Sequence, residues 1–587
     1  MEQALELHRA GRLDDAVEHY QKALAVDPNY VQALSNLGVA LKVLGRLHEA
    51  IASYQKAIAI KPDLAEAHAN LGLAQEGLGR MHEAVSCYRK AISLKPGYAV
   101  AYGLLGSALK ALGQLDEAVA SYQQAIVLKP DFSNTINNLG VAQLELGLLD
   151  DAIASFKKAA AINPNLFSAN FNHLHTLLYV PDLSSDELFS TYRQLVSAHH
   201  PGPLTAPTIR ATPLTHQPPG ERLRIGYLSS DFYGHPLGDI VMPLLSNHDH
   251  DQFEIFCYAD VVKPDHVTEK FIDHADHWRP INGLTDTEIA GQIRDDEIHI
   301  MVYLAGFFDN NRPMIAVHRP APVQVAMHGG TTTALEEMDF WLTDSVLHPS
   351  SDNGHTTEQF TEKLFRLPAF YIYPTTEGAP PTVPLPAEDN GFITFASFNK
   401  PCKMNETVVD LWSKVLKAVP DSRLIVKSKN YFNSPIISQR LLSRFNANGI
   451  THDRISLLGA TDSFHDHLAH YNQADIALDT FPFAGATTTF QALWMGVPVI
   501  SLMTDHFIGR AGGSISTHAG LGELVADTPQ DYIDKAASLA GDVARLKDLR
   551  ATLRERVSES LLCDGPEYAA TVEKAFLDMW KSKVAGG

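Results

Sequence analysis

Cysteine is scarce in this chain: four in 587 residues, Cys87, Cys257, Cys402 and Cys563, with no CxxC pair and no zinc-ligand spacing. That excludes a disulfide framework and predicts reduced thiols in a cytoplasmic protein. Positive charge is also short, 47 Lys and Arg against 68 Asp and Glu, a net −21. A surface that holds nucleic acid through its phosphates needs the opposite balance, so no nucleic-acid partner is expected. A local basic pocket for a small phosphorylated ligand is untouched by that sum. Long apolar runs are missing too. The longest, Ala492 to Met503, is interrupted by Gly, Pro and Ser and is too short to cross a bilayer. The opening MEQALELHRAG has neither the basic nor the apolar region of a secretory signal, so no membrane partner is expected. No GxGxxG follows a β-rich run and no GxxxxGK[ST] occurs, which argues against a dinucleotide dehydrogenase and a P-loop NTPase.

What is present is periodic. Pro28, Pro62, Pro96, Pro130 and Pro164 recur every 34 residues, as do Gly11, Gly45, Gly79, Gly113 and Gly147. Further registers are Ala16 to Ala152, Ala23 to Ala159, the aromatic series Tyr20, Tyr54, Tyr88, Tyr122 and Phe156, and Gly38, Gly72, Gly106 and Gly140. Small residues suit a close helix crossing, an aromatic fills the space between helices, and Pro ends the second helix of a pair. The pattern resembles the tetratricopeptide repeat, which predicts an α-helical solenoid over 1–164. Residues 29–164 read as full repeats and 1–28 as a repeat lacking most of its first helix. Residues 165–200 keep helical spacing without the signature and read as capping helices.

Asn36, Asn70, Asn138 and Asn172 share one register, broken by Leu104, on the first helix of each repeat. An amide both donates and accepts, so such a row can pair with a peptide backbone of any sequence in the solenoid groove. Packing between successive repeats is the other reading of the same residues.

Residues 201–220 hold six prolines and no period, and read as a linker. Beyond it, short β-rich runs alternate with helical stretches, predicting two α/β Rossmann-like domains at 221–386 and 387–587. The expected strands are Arg224–Ser229, Phe253–Tyr258, His299–Leu304, Val323–Met327 and Phe340–Thr343, then Phe392–Ser397, Arg423–Lys427, Ile455–Leu458, Ile476–Leu478 and Val497–Leu502. Asp249-His250-Asp251 matches a metal-binding DxD in form but sits in the polar stretch NHDHDQF, which reads as a solvated turn. His465, His467 and His470 do not share one helix face, so no metal site is expected there.

Three segments carry chemistry. In DIALDTFPFAGATTTFQALWMG, Asp475 to Gly496, a buried strand runs through small residues into a helix. Gly485 lets a ligand approach, and free amides with the hydroxyls of Thr487, Thr488 and Thr489 suit a diphosphate. Use of one Thr as an ordinary helix cap is the alternative. In SFNKPCKMNE, Ser397 to Glu406, Lys403 is placed to neutralise phosphate, with Asn399 and Lys400 nearby. SSDFYGHP ends the first strand of the earlier domain and puts Asp231 and His235 on its cleft side.

A tetratricopeptide solenoid followed in order by SSDF-x-x-HP, RPAPVQV, FN-x-x-x-K and LDT…TTT…ALW-MG-VPV resembles the O-linked N-acetylglucosamine transferase family, to which the SPINDLY proteins also belong. The resemblance implies a GT-B glycosyltransferase fold and transfer of a sugar to Ser or Thr of protein acceptors, inverting, without cofactor or metal. UDP-N-acetylglucosamine is the implied donor. GDP-fucose or UDP-glucose is the alternative within enzymes, and a scaffold with an inactive, nucleotide-binding transferase half is the alternative outside them. Matched residue by residue, His235 takes the place of the family's active-site histidine and Lys403 that of its diphosphate-binding lysine. His467 matches the histidine beside the base, and Thr487 and Thr488 match the phosphate-binding pair. Asn399, Lys400, Gly485 and Gln491 complete the implied nucleotide-sugar site. Ala486 stands where animal members have His, Gln491 where many have an acid, and Lys400 where animal enzymes have Gln. Met327-His328-Gly329-Gly330-Thr331-Thr332 replaces a Trp-containing loop of the family.

Overall fold

The computed structural model describes residues 1–200, 221–308, 310–349, 358–376 and 378–586; the expected linker 201–220 lies outside the described residues. The chain divides into two compact units, Met1–Ala169 with Asn433–Ile437, and Asn170–Phe432 with Ser438–Gly587.

The first unit is built of helix pairs: Glu2–Arg9 with Leu13–Val26, Val31–Val43 with Leu47–Ile60, Ala65–Gly77 with Met81–Leu94, Ala99–Ala111 with Leu115–Leu128, and Ser133–Glu145 with Leu149–Ile162. The opening helix has 8 residues where its equivalents have 13. Two registers have direct steric causes. Gly45 sits at φ +75, and the amides of Gly45 and Arg46 bond to Lys42 O and Leu41 O, closing the first helix in a Schellman turn that a side chain would strain. Gly38, Gly72, Gly106 and Gly140 face the rings of Tyr54, Tyr88, Tyr122 and Phe156; a Cβ there would stand 2.6 to 2.7 Å from ring carbon. The glycine and the aromatic are one packing feature, and each of these rings is fully buried. Burying such a ring contributes about 1.5–3 kcal/mol.

The boundary between units falls inside the helix Phe167–Leu177, which is followed by Ser185–His199. Ser184 and Glu187 form a capping box at the start of the latter.

The rest of the second unit holds two sheets. In the first, β1 (Leu223–Ser229), β2 (Phe253–Ala259), β3 (His277–Pro280), β4 (Ile300–Leu304), β5 (Val323–Met327), β6 (Phe340–Asp344) and β7 (Lys363–Leu367) lie in the order β3-β2-β1-β4-β5-β6-β7. In the second, β8 (Thr394–Ser397), β9 (Arg423–Lys427), β10 (Ile455–Leu458), β11 (Ile476–Leu478), β12 (Val499–Leu502) and β13 (Val525–Ala526) lie in the order β10-β9-β8-β11-β12-β13. Every pairing among the described residues is parallel. The central strands, such as IMVYL and VQVAM, are buried along their length, as helices on both faces require. The strands absent from the sequence reading are β3, β7 and β13, all at sheet edges. Half-covered edges do not need an apolar run, and HWRP and KLFRL have none. No helix among the described residues is long and apolar enough to cross a membrane.

The two α/β domains are pinned together. Asp344, at the end of β6, accepts bonds from Ser514 Oγ (2.8 Å) and His518 Nε2 (3.3 Å) on the helix Phe507–His518. The C-terminal helix Gly565–Gly586 returns to the first sheet, where Glu573 accepts from His248 Nδ1 at 2.9 Å.

Candidate functional site

In each sheet the strand order reverses once, between β1 and β4 and between β8 and β11. Parallel α/β sheets open a crevice at the carboxyl ends of the strands at that point. The segments singled out from sequence all leave strands there.

The second sheet carries the better-defined half. Asp479 follows β11 and is buried; its carboxylate accepts from the amides of Thr480 (2.8 Å) and Gly485 (2.7 Å) and from Ser501 Oγ (3.1 Å). It therefore shapes the turn that ends in Gly485. A Cβ on Gly485 would meet Thr488 Oγ1 at 2.4 Å, Asp479 Oδ1 at 3.0 Å and Asn399 Oδ1 at 3.2 Å. Only glycine fits among these three oxygens. Thr488 Oγ1 donates to Asn399 Oδ1 (3.1 Å), tying the end of β8 to the start of the helix Thr487–Trp494. Ala486 precedes that helix, and no side chain among the described residues caps it, so its first amides keep their donor capacity. Thr487 and Thr488 are half-buried at its first turn. Thr489 departs from the sequence reading: it is buried and its hydroxyl donates to Gly485 O at 2.9 Å, so it faces its own helix and not a ligand.

Lys403 closes a short turn after β8, ahead of the helix Glu406–Ala418 capped by Asn405. Its Nζ donates to Ala484 O at 2.7 Å and lies 4.2 Å from the centroid of the Phe483 ring. Ala484 O is its one hydrogen-bond acceptor among the described residues, which leaves two N–H donors. Burial lowers its pKa to about 8, against the attraction of Asp479. Burial likewise raises Asp479 to about 6, opposed by its backbone bonds and by Lys403. Lys400 is exposed at the start of the same turn.

His467 is tied to Gln491 and to a residue missed from sequence, Lys427. Lys427 Nζ donates to His467 Nδ1 (3.1 Å), so the ring carries its proton on Nε2 and donates to Gln491 Oε1 (3.2 Å). Burial, then the Lys427 charge, brings His467 down to about 4 and keeps it neutral. Lys427 is 2% exposed, and desolvation lowers its pKa. A lysine ending an apolar strand was the available signal.

At the first sheet, Asp231 and His235 follow β1. Asn311, also missed, ties Asp231 to the end of β1 from the loop after β4: its Nδ2 donates to Asp231 Oδ2 (2.7 Å) and its Oδ1 accepts from Ser229 Oγ (3.1 Å) and the Ser230 amide (2.9 Å). His235 caps the helix Pro236–Leu245, its Nδ1 accepting from the Leu237 amide at 3.3 Å. A ring that accepts at Nδ1 carries its proton on Nε2.

The substituted loop Met327–Thr332 is held by packing and by carboxylates. A Cβ on Gly329 would strike Trp341 at 2.7 Å, and one on Gly330 would strike Leu178 at 2.5 Å. Thr331 donates to Glu358 (2.7 Å) and Thr332 to Glu362 (2.6 Å).

In the first unit Asn36, Asn70 and Asn138 are half-buried on Val31–Val43, Ala65–Gly77 and Ser133–Glu145, and their side chains make no hydrogen bond among the described residues. Asn172 lies on Phe167–Leu177, beyond the boundary of the units. Asp249 turns on itself, accepting from the Asp251 amide and Gln252, at the amino end of β2 and away from the strand ends just described. His470 bonds to Asp466 O, so the three histidines do not converge.

The profile of glycosyl transferase family 41 matches residues 205–376 and 384–572. Tetratricopeptide profiles match 4–45, 41–79, 65–98, 106–147 and 133–166, among others. A SPINDLY protein of Arabidopsis thaliana, named a probable UDP-N-acetylglucosamine–peptide N-acetylglucosaminyltransferase, is 36% identical over 428 residues, 71% of this chain and 46% of its own. A Caenorhabditis elegans protein named UDP-N-acetylglucosamine–peptide N-acetylglucosaminyltransferase is 26% identical over 62% of this chain and 41% of its own. The chain spans about half the length of the curated relatives it matches. Among solved structures, a mutant of the Thermobaculum terrenum O-GlcNAc transferase is 30% identical, with a TM-score of 0.80 over 89% of this chain and 98% of that one. The paired parallel-sheet domains are thus a GT-B fold.

Proposed function

The chain belongs to glycosyl transferase family 41, and on that premise we propose that it is a protein O-glycosyltransferase that moves N-acetylglucosamine from UDP-N-acetylglucosamine to Ser or Thr hydroxyls. The observation that carries the reading is the placement of the Lys403 ammonium beside Gly485 and an uncapped helix start, at the switch point of the second sheet. Transfer breaks the bond between the sugar's anomeric carbon and the diphosphate, and the electron pair stays on the leaving oxygen. Lys403 and the amides of the Thr487–Trp494 helix stabilise that growing charge, which requires no metal. The acceptor oxygen attacks the opposite face, so configuration inverts. His235 offers an Nε2–H to an oxygen of the sugar or acceptor, and the hydroxyl proton passes to a phosphate oxygen of the donor. Neutral His467, with Gln491 and Lys427, supports the base and ribose. The asparagine row holds acceptor backbone.

The test is a screen of UDP-N-acetylglucosamine, UDP-glucose and GDP-fucose for binding and hydrolysis, followed by intact mass of candidate acceptors. A mass increase of one N-acetylhexosamine on a Ser or Thr is expected. Binding without turnover of any donor would make the chain a nucleotide-binding scaffold, and turnover of GDP-fucose alone would change the donor.

A further inference from the structure

Lysine ammonium groups in low-dielectric surroundings are commonly matched by a carboxylate. Lys403 is touched by a carbonyl and a ring, while the nearby Asp479, whose charge favours the ammonium, bonds to amides and Ser501. Phe483 leads into Gly485 in the turn after β11, and the Lys403 ammonium lies over it at 4.2 Å from the centroid. The Tyr179 ring stacks on Phe483 at 4.6 Å with an interplanar angle of 22°. One face of Phe483 is therefore covered by Tyr179, which leaves the other to the ammonium. Tyr179 comes from the turn after the helix Phe167–Leu177, in the capping segment that precedes the α/β domains, and is 4% exposed. His175, on the same helix, braces the stack edge-on: its ring is 5.3 Å from Tyr179 and 4.8 Å from Phe308, and its Nε2 is 3.3 Å from Tyr179 Oη. Burial, then the charges of Lys400 and Lys403, keeps His175 neutral, so it adds no charge beside the lysine.

A ring suits this place for a physical reason. Its face stabilises a cation without an anion that an incoming phosphate would have to displace. A carboxylate in the same position would bind the ammonium more strongly and hold it away from the donor.

We propose that Phe483 is a positioning residue for Lys403 and that Tyr179 sets Phe483 against it, which makes the capping segment part of the donor site. The inference rests on Lys403 acting on the leaving diphosphate.

The test is the pH profile of kcat/KM for nucleotide-sugar hydrolysis, using the full chain and the donor that it turns over, with thermal stability measured in parallel. Phe483→Leu is expected to lower kcat/KM by about 2- to 30-fold, the range of a partly desolvated cation–ring contact. It should also move the alkaline limb to lower pH, since a cation that loses its ring is easier to deprotonate. Tyr179→Leu should move the limb in the same direction by less, and Phe483→Tyr and Tyr179→Phe should restore it. Should Phe483→Leu fail to fold, Phe483→Met carries the same test. An unmoved limb in both leucine variants, with Lys403→Ala inactive, overturns the inference and leaves the role of Lys403 standing. Turnover retained in Lys403→Ala overturns that role and the inference with it.

Discussion

The two α/β domains share a topology and present opposite chemistry at the same point of it. At the carboxyl ends of β1 and β4, Ser229, Ser230, Asp231 and Asn311 bond to one another in a neutral-and-acidic cluster. At the carboxyl ends of β8 and β11 the acid, Asp479, is occupied by backbone amides and Ser501, and the lysine beside it keeps two donors. What meets a ligand is the hydrogen-bonding capacity left after the protein has satisfied itself. The second sheet leaves a cation and helix amides, which select an anion; the first presents an imidazole in place of the cation.

The strongest way to break that contrast is Lys403→Ala. Losing a charge-assisted contact to a desolvated phosphate costs about 2–4 kcal/mol, so turnover at saturating donor is expected to fall roughly 30- to 1000-fold with the fold intact. Unchanged turnover would take the cation out of the reaction. The wild-type pH profile sharpens the same point. Lys403 is charged below about 8 and Asp479 is ionised above about 6, so kcat/KM for the donor should be highest between them. It should fall above about 8 as the ammonium is lost, and below about 6 as the turn loses its carboxylate. Bound diphosphate stabilises the ammonium, so the alkaline limb of kcat should lie higher than that of kcat/KM. Coincident limbs would contradict a contact between the lysine and the phosphate.

His235→Ala tests the other sheet. A hydrogen bond to a developing charge is worth about 1.5–3 kcal/mol, so turnover should fall roughly 10- to 150-fold while UDP affinity stays within about twofold. The lost cap should also cost about 1 kcal/mol of stability. A parallel loss of UDP binding would place His235 with the nucleotide and erase the division of labour.

Legibility differed between regions for a physical reason. Each constraint in the first unit recurs, so Gly72 and Tyr88 appear as registers although their cause, a ring 2.6 Å from a missing Cβ, is three-dimensional. Central strands were readable because burial on both faces demands apolar runs, and edge strands β3, β7 and β13 were not. Lys403, Gly485 and Thr488 were marked by the order of motifs. Asn311 was not, because its bond to Asp231 joins loops 80 residues apart and a lone loop asparagine has no pattern. Thr489 was misassigned because three successive threonines on a helix cannot all face one side, and the third turns back to Gly485 O.

The smallest expected effect concerns a third surface, one with amides in place of either charge or imidazole. Asn36, Asn70 and Asn138 make no side-chain hydrogen bond among the described residues, so they do not hold neighbouring repeats together through their amides. Replacing all three by Ala should therefore leave thermal stability unchanged or slightly raised, since Ala is the better helix former. If the row pairs with acceptor backbone, several bonds at roughly 0.5–1.5 kcal/mol each are lost, and kcat/KM for a protein acceptor should fall by about tenfold or more. Hydrolysis of the donor should not change, because water needs no row of amides. The three readings on one variant separate the cases: equal glycosylation would assign the row no part in acceptor binding, and a lower melting temperature would return it to packing.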